Sequence, residues 1–529
     1  MAAARAIARR SFADGRARNL SFALFFAVMA LIQAVGYEHS YPTVKERLQF
    51  AASFGDNKAI RLFYGVPHDL VHIGGYVAWR SGGTLAIFVA VWGVFAAVRA
   101  RRAEEDSGRQ ELILAAPLSR RTAFRAALLG VLGGAALLWL ATWLGLLAGK
   151  LAAGPSAYLA LAIVSVGLVF VGVGALVSEL APTRRLALGL GMIVFAVALA
   201  LRIVADTSGA LEWLRWASPL GWAEEMRPFT GARPAVLLLP AAATAGLLYA
   251  AARISLRRDV GTGVFSSGDR AAPRLRLLGG PTRLALRSER GTLAGWFAGI
   301  GLYAIVIGLL ADTFSTANIS QTLREQLHKL GGATIVTPTG ALGFYFLIFT
   351  FAISLFACAQ VSAARHEEAE SRLETLFALP VSRRGWLGGR LALAAATALV
   401  LAMAAALLAW ASAESQGSHV DLAAMLEAGL NCMPSALLFL GVSALALALV
   451  PRATALVAYG LVSVLFCWYL FGALLGVPQW TLDLSPFQHV ALVPAQPFKL
   501  AEALVMLGLA ALAIVASLWA FERRDVLGA

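Results

Sequence analysis

Charge is what this sequence has least of. Of 529 residues only 14% are Asp, Glu, Lys or Arg, against about 25% in a soluble globular chain. Lysine is nearly absent: Lys45, Lys58, Lys150, Lys329 and Lys499 stand beside thirty-nine arginines. With the many alanines, that skew points to a GC-rich genome and says little about chemistry. Cysteine is reduced to Cys358, Cys432 and Cys467, all within apolar runs, which excludes a disulfide framework or a cysteine-rich metal cluster. No G-x-x-x-x-G-K-[ST] phosphate loop is present. The one Gly-Lys pair, Gly149-Lys150, is followed by Leu151 at the end of an apolar run. The chain therefore carries no ATP site of that type.

Apolar side chains fill the space that charge leaves. They make up 59% of the sequence, and the mean hydropathy is +0.74. An excess of that size has no single water-facing core to hide in, which excludes a soluble enzyme, a disordered chain and a fibrous repeat. Runs long enough to cross a bilayer occur near residues 19–36, 83–100, 123–149, 157–180, 186–205, 235–255, 293–311, 341–361, 386–413, 422–450, 455–475 and 500–521. The sequence predicts an all-α polytopic membrane protein of twelve transmembrane helices. The basic leader, residues 1–18, reads as a short surface helix ahead of a retained first span, since its apolar run is long for a signal peptide and lacks a small-residue cleavage site.

The net charge of +14 would suggest nucleic acid in a soluble chain; between apolar spans it marks one face of the membrane instead. Segments on the side of the N-terminus hold 31 of the 44 Lys and Arg. The positive-inside bias then predicts a multi-pass protein of the bacterial plasma membrane with both termini cytoplasmic, and no nucleic-acid partner.

The two halves of the sequence repeat each other. Residues 101–121 align with 364–384 at an offset of 263, with ten identities: Arg102/Arg365, Glu104/Glu367, Glu105/Glu368, Arg109/Arg372, Glu111/Glu374, Ala115/Ala378, Pro117/Pro380, Ser119/Ser382, Arg120/Arg383 and Arg121/Arg384. R-R-D-V recurs at 257–260 and 523–526, Pro182 pairs with Pro451, and S-P-L at 218–220 pairs with S-P-F at 485–487. The expected organisation is two parallel six-helix repeats. Residues 1–255 form the first half with its amphipathic helix, 256–290 a basic cytoplasmic linker with a second amphipathic helix, and 291–529 the second half.

The duplicated loop has its own physical reading. Helix-forming residues carry Glu104, Glu105, Arg109 and Glu111, Pro117 stops the helix, and Ser119 is placed to cap the next span. The second copy offers Glu367, Glu368, Arg372, Glu374, Pro380 and Ser382 in the same order. One such loop is most simply a solvated turn; two copies with the same acidic, proline and Ser-Arg-Arg positions argue for more. The pattern E-E-x-x-[SG]-R-x-E followed by P-[LV]-S-R, after the second span of a six-span unit, resembles the coupling-helix region of ABC-2 type permeases. The twelve-span duplicated form with a basic linker is similar to the exporters of polyketide antibiotics of the tetronasin-resistance type. That resemblance implies two copies of a separate nucleotide-binding ATPase, which would hold the ATP and Mg, while this chain binds no cofactor. It implies that the residues just named form the ATPase-coupling contacts, and that the cargo is a hydrophobic or amphipathic small molecule, antibiotic or drug, exported from the cell. It also likens residues 213–229 and 480–498 to half-membrane helices before the last span of each unit.

Other residues carry weaker signals. His68, Asp69 and His72 have one-turn spacing but lack the glutamate and third ligand of a zinc site. Glu427 and Asn431, four apart in the tenth span, are candidates for the substrate pathway because ionisable groups within spans are expensive. Ala126, Gly130 and Gly134 form a small-residue face suited to close packing. Trp79, Trp213, Trp216, Trp222 and Trp480 fit an interfacial belt. The rival reading is a proton-coupled twelve-span secondary drug transporter; against it, the loop after span two lacks G-x-x-x-D-R-x-G-R. A membrane-embedded enzyme would need a clustered acid, base or metal constellation, which the sequence does not display.

Overall fold

The computed structural model describes residues 2–55, 61, 64–106, 108, 115, 119–207, 209–257, 263–264, 277–311, 338–472 and 478–525. Arg109, Glu111, Pro117 and linker residues 258–262 and 265–276 lie outside the described residues. Within them the regular structure is helical, and twelve helices are long and apolar enough to cross a membrane. The chain is a multi-pass membrane protein. It divides into two compact units, the first ending at Ala271 and the second beginning at Ala272.

The first unit holds spans one to six: Arg16–Ser40, Ile73–Arg102, Arg120–Ala148, Ala153–Leu180, Arg184–Thr207 and Pro234–Ser255. Span two starts ten residues earlier than its hydropathy predicts, because the glycines, Arg80 and Ser81 of its first turns dilute the apolar signal. Span one packs on three, two on four, and four on six, with five against two and four. Glycine makes these approaches possible. A Cβ on Gly93 of span two would stand 2.4 Å from the Gly167 carbonyl oxygen of span four, and one on Gly145 of span three 2.3 Å from that of Ala27. The amphipathic helix Ala2–Asp14 lies along span three, with Ser11 Oγ donating to the Ala127 carbonyl at 2.9 Å. The predicted small face receives it: Gly130 faces Ser11 and Ala8, while Gly134 faces Asn19 and Trp92. Trp92 donates its indole N–H to Asn19 Oδ1 at 3.1 Å.

The second unit holds spans seven to twelve: Pro281–Leu309, Leu342–Ala369, Arg383–Glu414, Leu422–Leu449, Pro451–Tyr469 and Leu500–Arg523. Its pairings repeat those of the first unit: seven on nine, eight on ten, ten on twelve, and eleven against eight and ten. Phe346, Phe349 and Phe356 of span eight fill the core against the small face Ala398, Ala402, Ala405 and Ala409 of span nine. Large side chains opposite small ones give the interdigitation that close packing requires. The second amphipathic segment is continuous with span seven as one helix, Pro281–Leu310, whereas the first is broken from span one at Gly15. Span ten bends at Cys432, where Pro434 removes a backbone donor.

Candidate functional site: paired elbows and a distal charge network

The elbow of the second unit is a helix, a break and a helix. Span eight runs to Ala369, Ser371 takes a left-handed turn (φ 57°), and a short helix follows over Arg372–Phe377. Leu379 and Pro380 are exposed in the break. Ser382 then caps span nine, its Oγ accepting from Gly385 N at 3.0 Å. In the first unit span two ends through a π-helical turn, Arg99–Ala103, into Glu104–Asp106. Ser119 caps span three by accepting from Thr122 N at 3.2 Å.

Beneath each elbow lies a buried carboxylate held by arginine. Glu368 is fully buried; Arg365 approaches it at 3.1 Å from the preceding turn, and Arg524 from the end of span twelve grips both oxygens at 2.8 Å. At the matched position Glu105 is 7% exposed and Arg102 meets it at 2.8 Å. Arg101 adds a bond to Glu179 of span four at 2.7 Å and one to Ser255 Oγ at the end of span six at 3.0 Å. In both units, then, the last span is tied to the elbow through an arginine. Glu367 pairs with Arg390, which also holds Glu289. The counterpart of Arg390 at the same offset is Ala127, and there Glu104 instead lines a cavity of about 360 Å³ with Arg10, Arg18 and Arg99.

Of the residues assigned to partner contact, Glu105 and Glu368 are thus engaged inside the protein. Arg372, Glu374, Pro380 and Ser382 are at the surface, while Glu104 and Glu367 are half-buried. Sequence reasoning missed Arg101, Glu179, Arg390 and Arg524 as members of these clusters. The available signal was charge at the end of an apolar run, where an unpaired group is costly.

At the opposite end of the first unit is a second cluster that the sequence reading did not find. Arg202 and Asp206, one turn apart in span five, meet at 2.8 Å. Arg202 Nε also donates to Glu224 at 2.7 Å, and Arg215 bridges Asp206 and Glu225, both at 3.0 Å. Arg227 and Arg233 close on Glu225 at 3.1 and 2.9 Å. Burial pushes the Glu224 carboxyl up to about 8, with Asp206 adding to the rise and Arg202 opposing it. The i, i+4 spacing of Arg202 and Asp206 inside an apolar run was the legible clue.

The second unit keeps the scaffold and drops the charge. Ser218 Oγ donates to the Ala198 carbonyl at 2.7 Å, and Ser485 Oγ donates to the Leu465 carbonyl at 2.9 Å, a common offset of 267. At that offset Arg202, Arg215, Glu224 and Glu225 become Tyr469, Leu482, Ala491 and Leu492. The flanking segments are short helices, Gly209–Ala217 and Pro219–Glu225 in one unit and Gln479–Leu482 and Pro486–His489 in the other. Prolines at the start of the second member of each pair interrupt any continuous half-membrane helix.

The remaining candidates separate. Glu427 is exposed, whereas Asn431 is buried and donates its amide to the Ala491 carbonyl at 2.7 Å. Asp69 accepts from Val71 N and His72 N and meets His72 Nδ1 at 2.8 Å, so it organises its own turn. Trp213, Trp216 and Trp480 are exposed, but Trp79 is buried and donates to the Gly65 carbonyl at 2.8 Å, a core residue rather than part of a belt.

The chain is 32% identical over 508 residues to the multidrug efflux system permease protein Rv1217c of Mycobacterium tuberculosis, covering 94% of this chain and 90% of that one. Residues 49–257 and 278–522 match the family described as multidrug efflux system permease Rv1217c, C-terminal domain. The stretch skipped, 258–277, falls in the basic linker. With nearly the whole of both units matched, the chain belongs to this multidrug efflux permease family.

Proposed function

We propose that this chain is the transmembrane permease subunit of an ATP-driven exporter that moves hydrophobic or amphipathic compounds, antibiotics or drugs among them, out of the cell. Two copies of a separate ATPase supply the work, and ATP and Mg sit in those subunits. The arginine-rich face is cytoplasmic, with both termini on it, and the two halves run parallel in the bilayer. The supporting observation is the duplicated buried Arg–Glu pair, 2.8 Å in the first copy and 3.1 Å in the second, on which the second copy carries a surface helix and a break. A lever needs an exposed contact and a stiff root. Arg372 and Glu374 offer the contact, and the buried pair offers the root. Closure of the ATPase dimer pushes both elbows, and the spans behind them switch access to a largely apolar pathway, which suits lipophilic cargo.

The test is reconstitution. Permease and a nucleotide-binding ATPase that co-purifies with it are placed together in liposomes and uptake of a lipophilic dye is followed. Transport that requires ATP, with ATPase activity stimulated by cargo, is the expected result. Transport by the permease alone, driven by a proton gradient in pure lipid vesicles, overturns the proposal.

A further inference from the structure

Between spans three and six of the first unit runs a groove of about 600 Å³. Leu128, Leu132 and Leu248 form its walls, and Arg121, Arg125 and Arg253 stand at one end. Among the lining residues there is no carboxylate. Arg121 and Arg125 lie one turn apart on span three; Arg253 stands on span six, its guanidinium 5.8 Å from the ring centroid of Tyr249 one turn back on the same helix. All three arginines are exposed, as are Tyr249 and Leu129 beside them. The twelve residues from Arg121 to Leu132 span roughly 16 Å of helix, enough for a headgroup and the upper part of an acyl chain.

The second unit shows the same place closed. Arg121 corresponds to Arg384, and Leu256 to Glu522, and these two form an ion pair. Arg125 becomes Gly388, against which Leu518, the counterpart of Ala252, packs; Arg253 becomes Trp519. One unit therefore neutralises its arginine internally and fills the groove, while the other gathers three cations around an open apolar slot. Three guanidiniums at one end of a hydrophobic channel in a membrane-spanning bundle call for an occupant that is anionic at one end and apolar at the other.

We propose that this groove is a specific site for an anionic phospholipid of the surrounding bilayer, its phosphate on Arg121, Arg125 and Arg253 and an acyl chain along Leu128, Leu132 and Leu248. The inference rests on the chain spanning a membrane and is independent of how transport is driven.

The experiment uses the full-length protein reconstituted in vesicles of phosphatidylglycerol and phosphatidylcholine, re-extracted in mild detergent and weighed by native mass spectrometry. Wild type retains phosphatidylglycerol selectively. Arg125→Gln with Arg253→Gln lowers that retention about twenty-five-fold, taking each arginine near the surface as a factor of about five. A second variant, Ala252→Leu with Leu256→Glu, imports the other unit's closure and loses the lipid to a similar degree without removing an arginine. Equal retention of the two lipids by wild type, undiminished phosphatidylglycerol in both variants, or binding of inorganic phosphate with no lipid retained would each overturn the site.

Discussion

Arg524 and Glu368, 156 residues apart, meet through two parallel N–H···O contacts of 2.8 Å beneath the second elbow. The carboxylate is fully buried, so it depends on its partners. Removing Arg524 by Arg524→Ala takes away the partner that grips both oxygens of the buried carboxylate, while the Arg365 contact of 3.1 Å stays. The expected cost is about 3–5 kcal/mol, the usual penalty for breaking a buried pair from one side. Thermal unfolding in detergent should show it, and Glu368→Gln, which removes the charge but keeps the shape, should be milder. Equal melting temperatures for Arg524→Ala and wild type would show that the pair does not brace the elbow.

The surface of the same elbow behaves differently. Arg372 and Glu374 are exposed, and the described ion pair of Arg372 is with exposed Glu370. Reversing Glu374 to Arg is expected to leave the melting temperature where it was, since exposed substitutions away from caps and cores have small effects. Under the proposed function it should weaken co-purification of the ATPase, more so when Glu111→Arg is added in the first copy. A double variant that pairs and transports normally would move the coupling contacts elsewhere.

How much of this was legible follows from how local each feature is. The spans were readable because one bilayer length of apolar sequence is a local property, and the caps at Ser119 and Ser382 because a cap involves only the next three residues. The repeat was readable because identity at fixed offset needs no folding. Burial of Glu105 and Glu368 was not readable, although both lay in the matched motif. It is Arg524 from span twelve, and in the first unit Glu179 of span four meeting Arg101, that convert an acidic surface pattern into an interior one. The charge network at the opposite end of the first unit likewise needs a loop to fold Glu224 back by twenty-two residues onto Arg202. Trp79 was misplaced because a tryptophan near a span end looks the same whether it faces lipid or a loop carbonyl.

The tenth span separates two residues that sequence placed together. Asn431→Ala removes the amide donor to the Ala491 carbonyl and leaves that acceptor unpaired in the core, so a loss of about 1–3 kcal/mol is expected. Glu427→Gln, on the exposed side of the same helix, should leave stability unchanged. Measured by thermal unfolding, the two variants should differ clearly; matching losses would mean that Glu427 has a structural partner after all.

Glu224 gives a signature in pH. Its carboxyl titrates near 8 in the folded protein because burial disfavours the charge, against about 4.3 in an unfolded chain. A raised acid binds its proton more tightly when folded, so the folded state carries the extra proton between those values. The stabilisation is therefore complete below about pH 4 and is lost as pH climbs through about 8. Glu224→Gln keeps the shape and removes the titration. Across pH 5 to 8.5 the wild-type melting temperature should fall more steeply than that of the variant, and the two curves should diverge most at the alkaline end. Parallel curves would place Glu224 in its charged form throughout, held by Arg202 at 2.7 Å as an ordinary ion pair.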